Sequence, residues 1–332
     1  MRVNGFSAGP FASFTAGQVN SGEIFNGAFD PAGLIFVDAG DSVNIIGNTT
    51  ATSIDLGSLM SVVGSANING NSAATSINVG SLTTVGGDMT IETTGSGTFD
   101  VSSAAVGGNT DLTTDGYTEV AGATTGGATA VTMLNSEATM EVTLPDGAFS
   151  STNPVTFSVE RLPGGGVETV GGEMVTHLET YAFDFAIPTL NSAAELNFEI
   201  NLLKLDEPDR LSLLELLHDG ALLTLGVLGD APGSELQLFD VCSGGGPVAD
   251  ACVVVEWLDE NRMVLDPLSG IDPSILRLEG LVGHFSTYSF VAVTRIPEPA
   301  TIGLLLFGAV FGRLSLTRSG GKRWQRCASG EA

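Results

Sequence analysis

Apolar residues in the first half of the chain recur two positions apart, with polar residues between them. Residues 51–70 (ATSIDLGSLMSVVGSANING) and residues 74–93 (ATSINVGSLTTVGGDMTIET) repeat this pattern at an offset of 23 residues, and a third copy follows with one deletion. A period of two residues is typical of strands rather than helices. The equivalent apolar positions are Ile54, Leu56, Leu59, Val62 and Ile68, then Ile77, Val79, Leu82, Val85 and Ile91, then Phe99, Val101, Ala104, Val106 and Leu112, with weaker echoes at Val43, Ile45, Val131 and Met133.

A repeat at a fixed period indicates units that stack on one another to bury a common core. Short strands with Gly-rich corners favour a parallel β-solenoid, which we predict over residues 34–134 with turns of about 22–23 residues. The stretch SLTTVGGDMTI also resembles the bacterial leucine-rich, receptor-L-like repeats, and this resemblance implies a solenoid of parallel strands. The asparagine ladder usual in such repeats is incomplete here, because Thr94 stands near the place equivalent to Asn69 and Asn71.

The second half contains strand-like stretches separated by turn-forming Pro, Gly and Asp residues, which predicts an antiparallel β-sandwich over residues 135–294. Its closing stretch, GHFSTYSFVAV, resembles the last strand of domains common in bacterial surface proteins. The candidate strands lie at 138–145, 153–165, 176–187, 194–205, 221–229, 235–242, 252–260, 261–267, 274–282 and 284–293.

One segment of the second half has a helical pattern. The stretch EPDRLSLLELLHDG, residues 207–220, has leucines at helical spacing, an acidic start at Asp209 and a glycine stop at Gly220. We therefore predict one short helix packed on the sheet. The leucines are Leu211, Leu213, Leu214 and Leu217.

The tail, residues 295–332, differs from the rest of the chain. Pro297 and Pro299 cannot continue a strand ladder, and the mostly apolar run 300–316 reaches the lower limit of about 17 residues for a membrane span. Basic residues after the run place its C-terminal end in the cytoplasm and the folded part outside. We predict a transmembrane helix at about 300–316, followed by a basic cluster of Arg313, Arg318, Lys322, Arg323 and Arg326.

The tail IPEPATIGLLLFG, followed by arginines, resembles the PEP-CTERM sorting signal of Gram-negative bacteria. By this resemblance Pro297, Glu298 and Pro299 form the motif that an exosortase recognises, and the protein passes through the inner membrane to the cell surface or extracellular matrix. The family is associated with exopolysaccharide and biofilm. Arg313 comes early and the tail after it is long, which leaves the membrane boundary open.

The start of the chain fits this export route less well. Residues 1–33 lack both a basic region followed by an apolar run and a clear cleavage site, which a secretory signal would show. We therefore expect an N-terminal segment whose true start lies upstream, the alternative being that export does not follow the usual route.

The charge is strongly acidic. The formal net charge is −26, and six of the twelve basic residues lie at or after Arg295, where only Glu298 and Glu331 are acidic. Residues 1–294 therefore carry 6 basic and 36 acidic groups, or −30. Such a surface repels nucleic acid phosphates and suits a well-solvated exported protein.

Cys242 and Cys252 flank the flexible stretch SGGGPVADA, and in an oxidising compartment they would close a small ring. We predict a disulfide between them, the alternative being two unpaired buried thiols.

Catalytic signatures are missing from the sequence. Residues 34–134 contain no Lys, Arg or His and so cannot supply the cation and base of a polysaccharide lyase. His177, His218 and His284 lie far apart, without metal-ligand spacing. We predict a non-catalytic surface or matrix protein with no catalytic residues, no metal site and no cofactor beyond weak calcium binding. The alternatives are a carbohydrate-active enzyme and a carbohydrate- or calcium-binding adhesin.

Overall fold

The chain is mainly β, as predicted. Within the described residues there are 27 strands and one helix, and Met1–Thr294 form one compact unit. The computed structural model describes residues 42–46, 54–57, 59–72, 74–148, 153–163, 166–186, 190–228, 236–242, 247, 249, 252–267 and 270–295, with short strands at 2–4, 22–25 and 38–39.

Short strands form the first half of the chain. They are β1 (Arg2–Asn4), β2 (Gly22–Phe25), β3 (Asp38–Ala39), β4 (Val43–Ile46), β5 (Ile54–Asp55), β6 (Ser61–Val62), β7 (Ala66–Asn69), β8 (Ile77–Asn78), β9 (Thr84–Val85), β10 (Met89–Thr94), β11 (Thr98–Asp100), β12 (Ala105–Val106), β13 (Thr110–Asp115), β14 (Glu119–Thr124) and β15 (Thr129–Leu134).

These strands stack as a parallel β-solenoid of about four turns, which confirms the prediction from the repeats. All fifteen apolar positions of the three sequence copies are buried, and paired residues are equivalents in the alignment. The alignment therefore gave the correct strand register. The pairs are Ile54 with Ile77, Val62 with Val85, Ile68 with Ile91, Val85 with Val106, and Ile91 with Leu112.

A ladder of polar side chains runs along one corner of the solenoid. Each side-chain oxygen accepts a hydrogen bond from the backbone N–H of the equivalent residue in the next turn, at 2.8–3.1 Å. These bonds satisfy backbone donors that the corner would otherwise leave unpaired. The acceptors are Ser42, Ser65, Asp88 and Asn109, and the last donor is the N–H of Ala128.

Glycine precedes the ladder because the turns approach closely there. A Cβ at Gly107 would lie 2.6 Å from the carbonyl oxygen of Gly86, and one at Gly127 would lie 2.2 Å from that of Gly108. Both distances are shorter than any normal contact of a Cβ atom, so the stacking of these turns requires glycine at positions 107 and 127.

Strands of 2–13 residues form the second half. They are β16 (Ala138–Leu144), β17 (Val155–Leu162), β18 (Val167–Val170), β19 (Glu173–Phe185), β20 (Ala194–Asn201), β21 (Leu222–Leu228), β22 (Gln237–Leu238), β23 (Asp240–Val241), β24 (Cys252–Leu258), β25 (Val264–Leu265), β26 (Ile275–Val282) and β27 (Thr287–Arg295), with the helix α1 (Glu207–His218) between β20 and β21.

Two sheets extend from the solenoid into the second half without a break. Sheet I has the order β1-β2-β4-β7-β10-β13-β15-β16-β20-β26-β24-β23, with β25 beside β24; sheet II has the order β11-β14-β17-β19-β27-β21-β22, with β18 beside β19. Pairing in sheet I is parallel up to β15, and β15 pairs antiparallel with β16. The predicted boundary between residues 134 and 135 therefore coincides with a change in strand direction inside one sheet.

A single row of inward side chains links the two halves. It runs across sheet I from the solenoid to β20, and each member is at most 1% exposed. Burying one such side chain contributes about 1.5–3 kcal/mol, so this row is a continuous core element. Its members are Ile45, Ile68, Ile91, Leu112, Val131, Val142 and Leu196.

In the second half sheets I and II face each other across an aromatic core. Phe198 of sheet I lies 5.7 Å from Tyr181 and 6.4 Å from Phe290 of sheet II, measured between ring centroids. These rings join the same hydrophobic core as the solenoid residues.

The predicted helix is present as α1 and lies at one end of these layers. Asp206 caps it by accepting a hydrogen bond from the N–H of Asp209 at 3.1 Å, and Gly220 follows its end with φ +84°. Leu213 and Leu217 are buried, whereas Leu211 is 53% exposed. The leucine pattern therefore predicted the helix correctly but overestimated its buried face.

No helix in the described part of the chain is long and apolar enough to cross a membrane. The predicted span at 300–316 lies outside those residues.

Candidate functional site

The predicted sorting residues lie beyond the described part of the chain. This applies to Pro297, Glu298 and Pro299, and to the basic cluster of Arg313, Arg318, Lys322, Arg323 and Arg326.

Cys242 and Cys252 come together at the edge of sheet I. Their sulfur atoms are bonded at 2.09 Å, with the Cα atoms 5.2 Å apart. Cys252 opens β24, and Cys242 follows β23 and donates its backbone N–H to the carbonyl of Val253 at 2.9 Å. The bond therefore fastens the short edge strand β23 to its neighbour.

A cavity with a partly buried ion pair in its lining lies where α1 covers one end of the two facing sheets. We call it the end cleft; its volume is about 390 Å³. Four chain segments contribute to it, and they are far apart in sequence. The lining residues are Glu137, Arg161, Thr176, His177, Leu178, Glu179, Ile200, Leu205, Asp209, Ser212, Leu213 and Leu216.

An ion pair contributes the central polar surface of the end cleft. Arg161 of β17 donates to Glu179 of β19 through Nε at 3.0 Å and through Nη2 at 2.8 Å. Glu179 is only 7% exposed, while the Arg161 side chain is 33% exposed. The bidentate geometry fixes both side chains. The hydrogen bonds that Arg161 donates to Glu179 raise the pKa of Arg161, so its guanidinium stays charged.

Tyr181 lies directly opposite Arg161 on the neighbouring strand. It is 1% exposed, and its hydroxyl has no hydrogen-bond partner in the described part of the chain. Burial raises the pKa of this hydroxyl, and the negative charge of Glu179 raises it further. The phenol therefore remains protonated and adds no charge beside the ion pair.

A chain of side-chain hydrogen bonds links three strands of sheet II beside the cleft. His177 Nδ1 lies 2.9 Å from Ser289 Oγ, and His177 Nε2 lies 2.9 Å from Glu168 Oε1. Ser289 Oγ is also 2.5 Å from Thr180 Oγ1. A serine, a histidine and a carboxylate in this order occur in hydrolases, but Ser289 is 0% exposed. Its hydroxyl cannot meet a substrate in this conformation, so the geometry supports a structural role.

The other predicted histidines lie apart from the cleft. His218 Nε2 lies 2.9 Å from Asp272 Oδ1, with both side chains more than half exposed. The carbonyl of His284 accepts a hydrogen bond from the hydroxyl of Tyr288 at 2.8 Å. Across the described ranges no group of three or more His, Cys, Asp or Glu side chains is arranged to hold a metal ion.

The outer face of sheet I is polar and mostly acidic. Arg277 bonds to Glu256 and lies 3.9 Å from both Glu199 and Glu279, and Arg262 bonds to Glu199. This network on β20, β24 and β26 is solvated on one side, so each pair contributes little to stability.

Comparison with known proteins gives no relative. The chain matches no protein-family model, no curated protein and no solved structure.

Sequence reasoning did not find the end cleft. Its residues carry no motif, because pairing across sheet II brings Arg161 and Glu179 together and α1 adds Asp209 from a third segment. The helical pattern was the one sequence feature that belongs to the cleft. It did not indicate where the helix would lie on the sheets.

Proposed function

We propose that this is a non-catalytic exported protein of a Gram-negative cell surface or extracellular matrix, delivered by a PEP-CTERM sorting tail. The observation that carries the proposal is the order of features in the tail: Pro297-Glu298-Pro299, the apolar run 300–316 and then basic residues. The order matches what an exosortase would need, namely a recognition motif outside the inner membrane, an anchor within it and a cytoplasmic stop.

The disulfide supports export. Disulfides persist in oxidising compartments and are rare in the cytosol of most bacteria. A bond between Cys242 and Cys252 suits a protein that folds outside the cytoplasm.

The surface supports a matrix or display role. Residues 1–294 carry a formal charge of −30, which keeps an extracellular body soluble and resists non-specific contact with anionic polymers. Ser289, in the arrangement closest to a hydrolase site, is buried. The proposed partners are the exosortase and, at the surface, exopolysaccharide or another matrix component.

Tail processing tests the proposal. Replacing Pro297, Glu298 and Pro299 by alanine should leave full-length protein in the inner membrane, as seen by fractionation and immunoblotting against a folded-part epitope. The matched control replaces Ser319 by alanine, which alters the tail but spares the motif. Normal processing of the triple variant, or equal retention of the control, would contradict the sorting proposal.

A further inference from the structure

We propose that the end cleft binds a single neutral saccharide unit, such as the end of a matrix polysaccharide. This inference rests on the proposed matrix function, because it names the class of partner that the protein would meet there.

The floor of the cleft offers hydrogen-bond donors and acceptors side by side. Arg161 uses Nε and one Nη2 hydrogen on Glu179, which leaves three of its five N–H groups. Each carboxylate oxygen of Glu179 accepts one of these bonds and retains a further lone pair. A hydroxyl group both donates and accepts, so a polyol can accept hydrogen bonds from Arg161 and donate hydrogen bonds to Glu179 at the same time.

The charges on the lining disfavour anionic ligands. A carboxylate would face Glu137 and Asp209 as well as Glu179, and only one guanidinium, that of Arg161, offsets these three charges. A neutral ligand with hydroxyl groups avoids this repulsion and does not need to break the ion pair.

The walls and the size suit one sugar ring. Ile200, Leu205, Leu213 and Leu216 supply apolar surface that would contact the C–H face of a pyranose. A volume of about 390 Å³ lies at the lower end of the range for small-molecule sites, about 300–1,000 Å³. The lining residues that the structure describes include no Phe, Tyr or Trp, so no large aromatic ring stacks on the sugar and we expect a Kd of about 1 mM.

Binding can be measured on the full-length protein by saturation-transfer NMR and titration calorimetry. The probes are glucose, galactose, mannose and N-acetylglucosamine, with glucuronate as the anionic counterpart. At least one neutral sugar should bind saturably, and glucuronate should bind at least about tenfold more weakly.

Two variants locate the site. Arg161→Met with Glu179→Leu removes the donors and acceptors while keeping the volume apolar, a change that is often tolerated at buried pairs. Ser212→Phe fills the cleft from an exposed position of α1 and spares the core. Each should weaken sugar binding by about tenfold or more. The matched control, Arg277→Met with Glu256→Leu, removes an Arg–Glu pair on the outer face of sheet I and should leave binding unchanged.

Three results would overturn the inference: no binding of any neutral sugar at millimolar concentration, preference for glucuronate, or full binding by the folded Ser212→Phe protein. The assay uses purified protein, so its failure leaves the sorting tail untouched. Failure of tail processing in cells would equally leave the sugar measurement intact.

Discussion

Truncation of Leu112 should destabilise the second half of the protein as much as the first. Leu112 is 0% exposed and lies between Ile91 and Val131 in the inward row of sheet I. Leu112→Ala removes buried methyl groups and leaves a cavity in a stack that cannot collapse without shifting neighbouring turns. For a fully buried leucine the expected loss in free energy of unfolding is about 3–4 kcal/mol.

Trp257 makes this coupling measurable. It lies on β24, far along the same sheet, and packs against the shared core. With Trp324 replaced by Phe, Trp257 is the only tryptophan, and its fluorescence reports on the second half. A loss of about 3 kcal/mol divided by an m-value of about 3 kcal/mol/M predicts a fall of about 1 M in the urea midpoint.

The control is Thr113→Ala, which faces outward from the same strand and should lower stability by less than about 1 kcal/mol. Far-UV circular dichroism and Trp257 fluorescence should give the same shifted midpoint for Leu112→Ala, because both sheets are continuous. An unchanged Trp257 midpoint beside a lowered circular dichroism transition would refute the reasoning, since the solenoid would then unfold on its own.

Three further predictions concern the glycine corner of the solenoid, the disulfide and the carboxylate of Asp111. Gly107→Ala should lower the free energy of unfolding by about 1–3 kcal/mol, because its Cβ would overlap the carbonyl of the preceding turn. Thermal unfolding measures this loss, and an unchanged Tm would contradict the steric argument. Replacing Cys242 and Cys252 by serine should lower the free energy of unfolding by about 3 kcal/mol, because the disulfide closes a loop with a sequence separation of 10. Urea unfolding measures this loss. In the serine variant a reducing agent should no longer change the urea midpoint. Desolvation raises the pKa of Asp111 above its ordinary 3.8, so its charge is unfavourable in the folded state and stability falls as pH rises from that value through the folded pKa. Asp111→Asn should therefore stabilise the protein at pH 7 and lose this advantage at pH 3; an equal effect on the urea midpoint at both pH values would contradict the argument.

The solenoid was predictable because equivalent positions of the repeat have the same structural role in each turn. Ile68 and Ile91 occupy the same place in two copies of the repeat, and parallel stacking puts equivalent residues side by side. The polar ladder was missed for the opposite reason. Ser65, Asp88 and Asn109 accept the same hydrogen bond from the next turn. They are three different residue types that share only an acceptor oxygen, so they do not stand out as a repeat in the sequence.

The end cleft could not be predicted from the sequence. Arg161 and Glu179 are 18 residues apart with no motif between them, and only the pairing of β17 with β19 sets their distance. Asp209 belongs to a helix whose pattern predicted that it packs on a sheet, but not on which end. Antiparallel register over long loops depends on side-chain packing across the whole core, which local periodicity does not encode.

The point where the solenoid ends also helps to form the cleft. The polar ladder stops at Ala128, which has no side-chain acceptor to continue it. One strand later, Asn135 Oδ1 accepts hydrogen bonds from the N–H groups of Glu137 and Ala138, both at 2.7 Å, and stabilises a tight turn. That turn reverses the chain, so β16 runs antiparallel to β15 and no further turn can stack. The same reversal places Glu137 at the end of sheet I, where it lines the cleft with Arg161. The turn that ends the repeat therefore also supplies Glu137 to the lining of the candidate binding site.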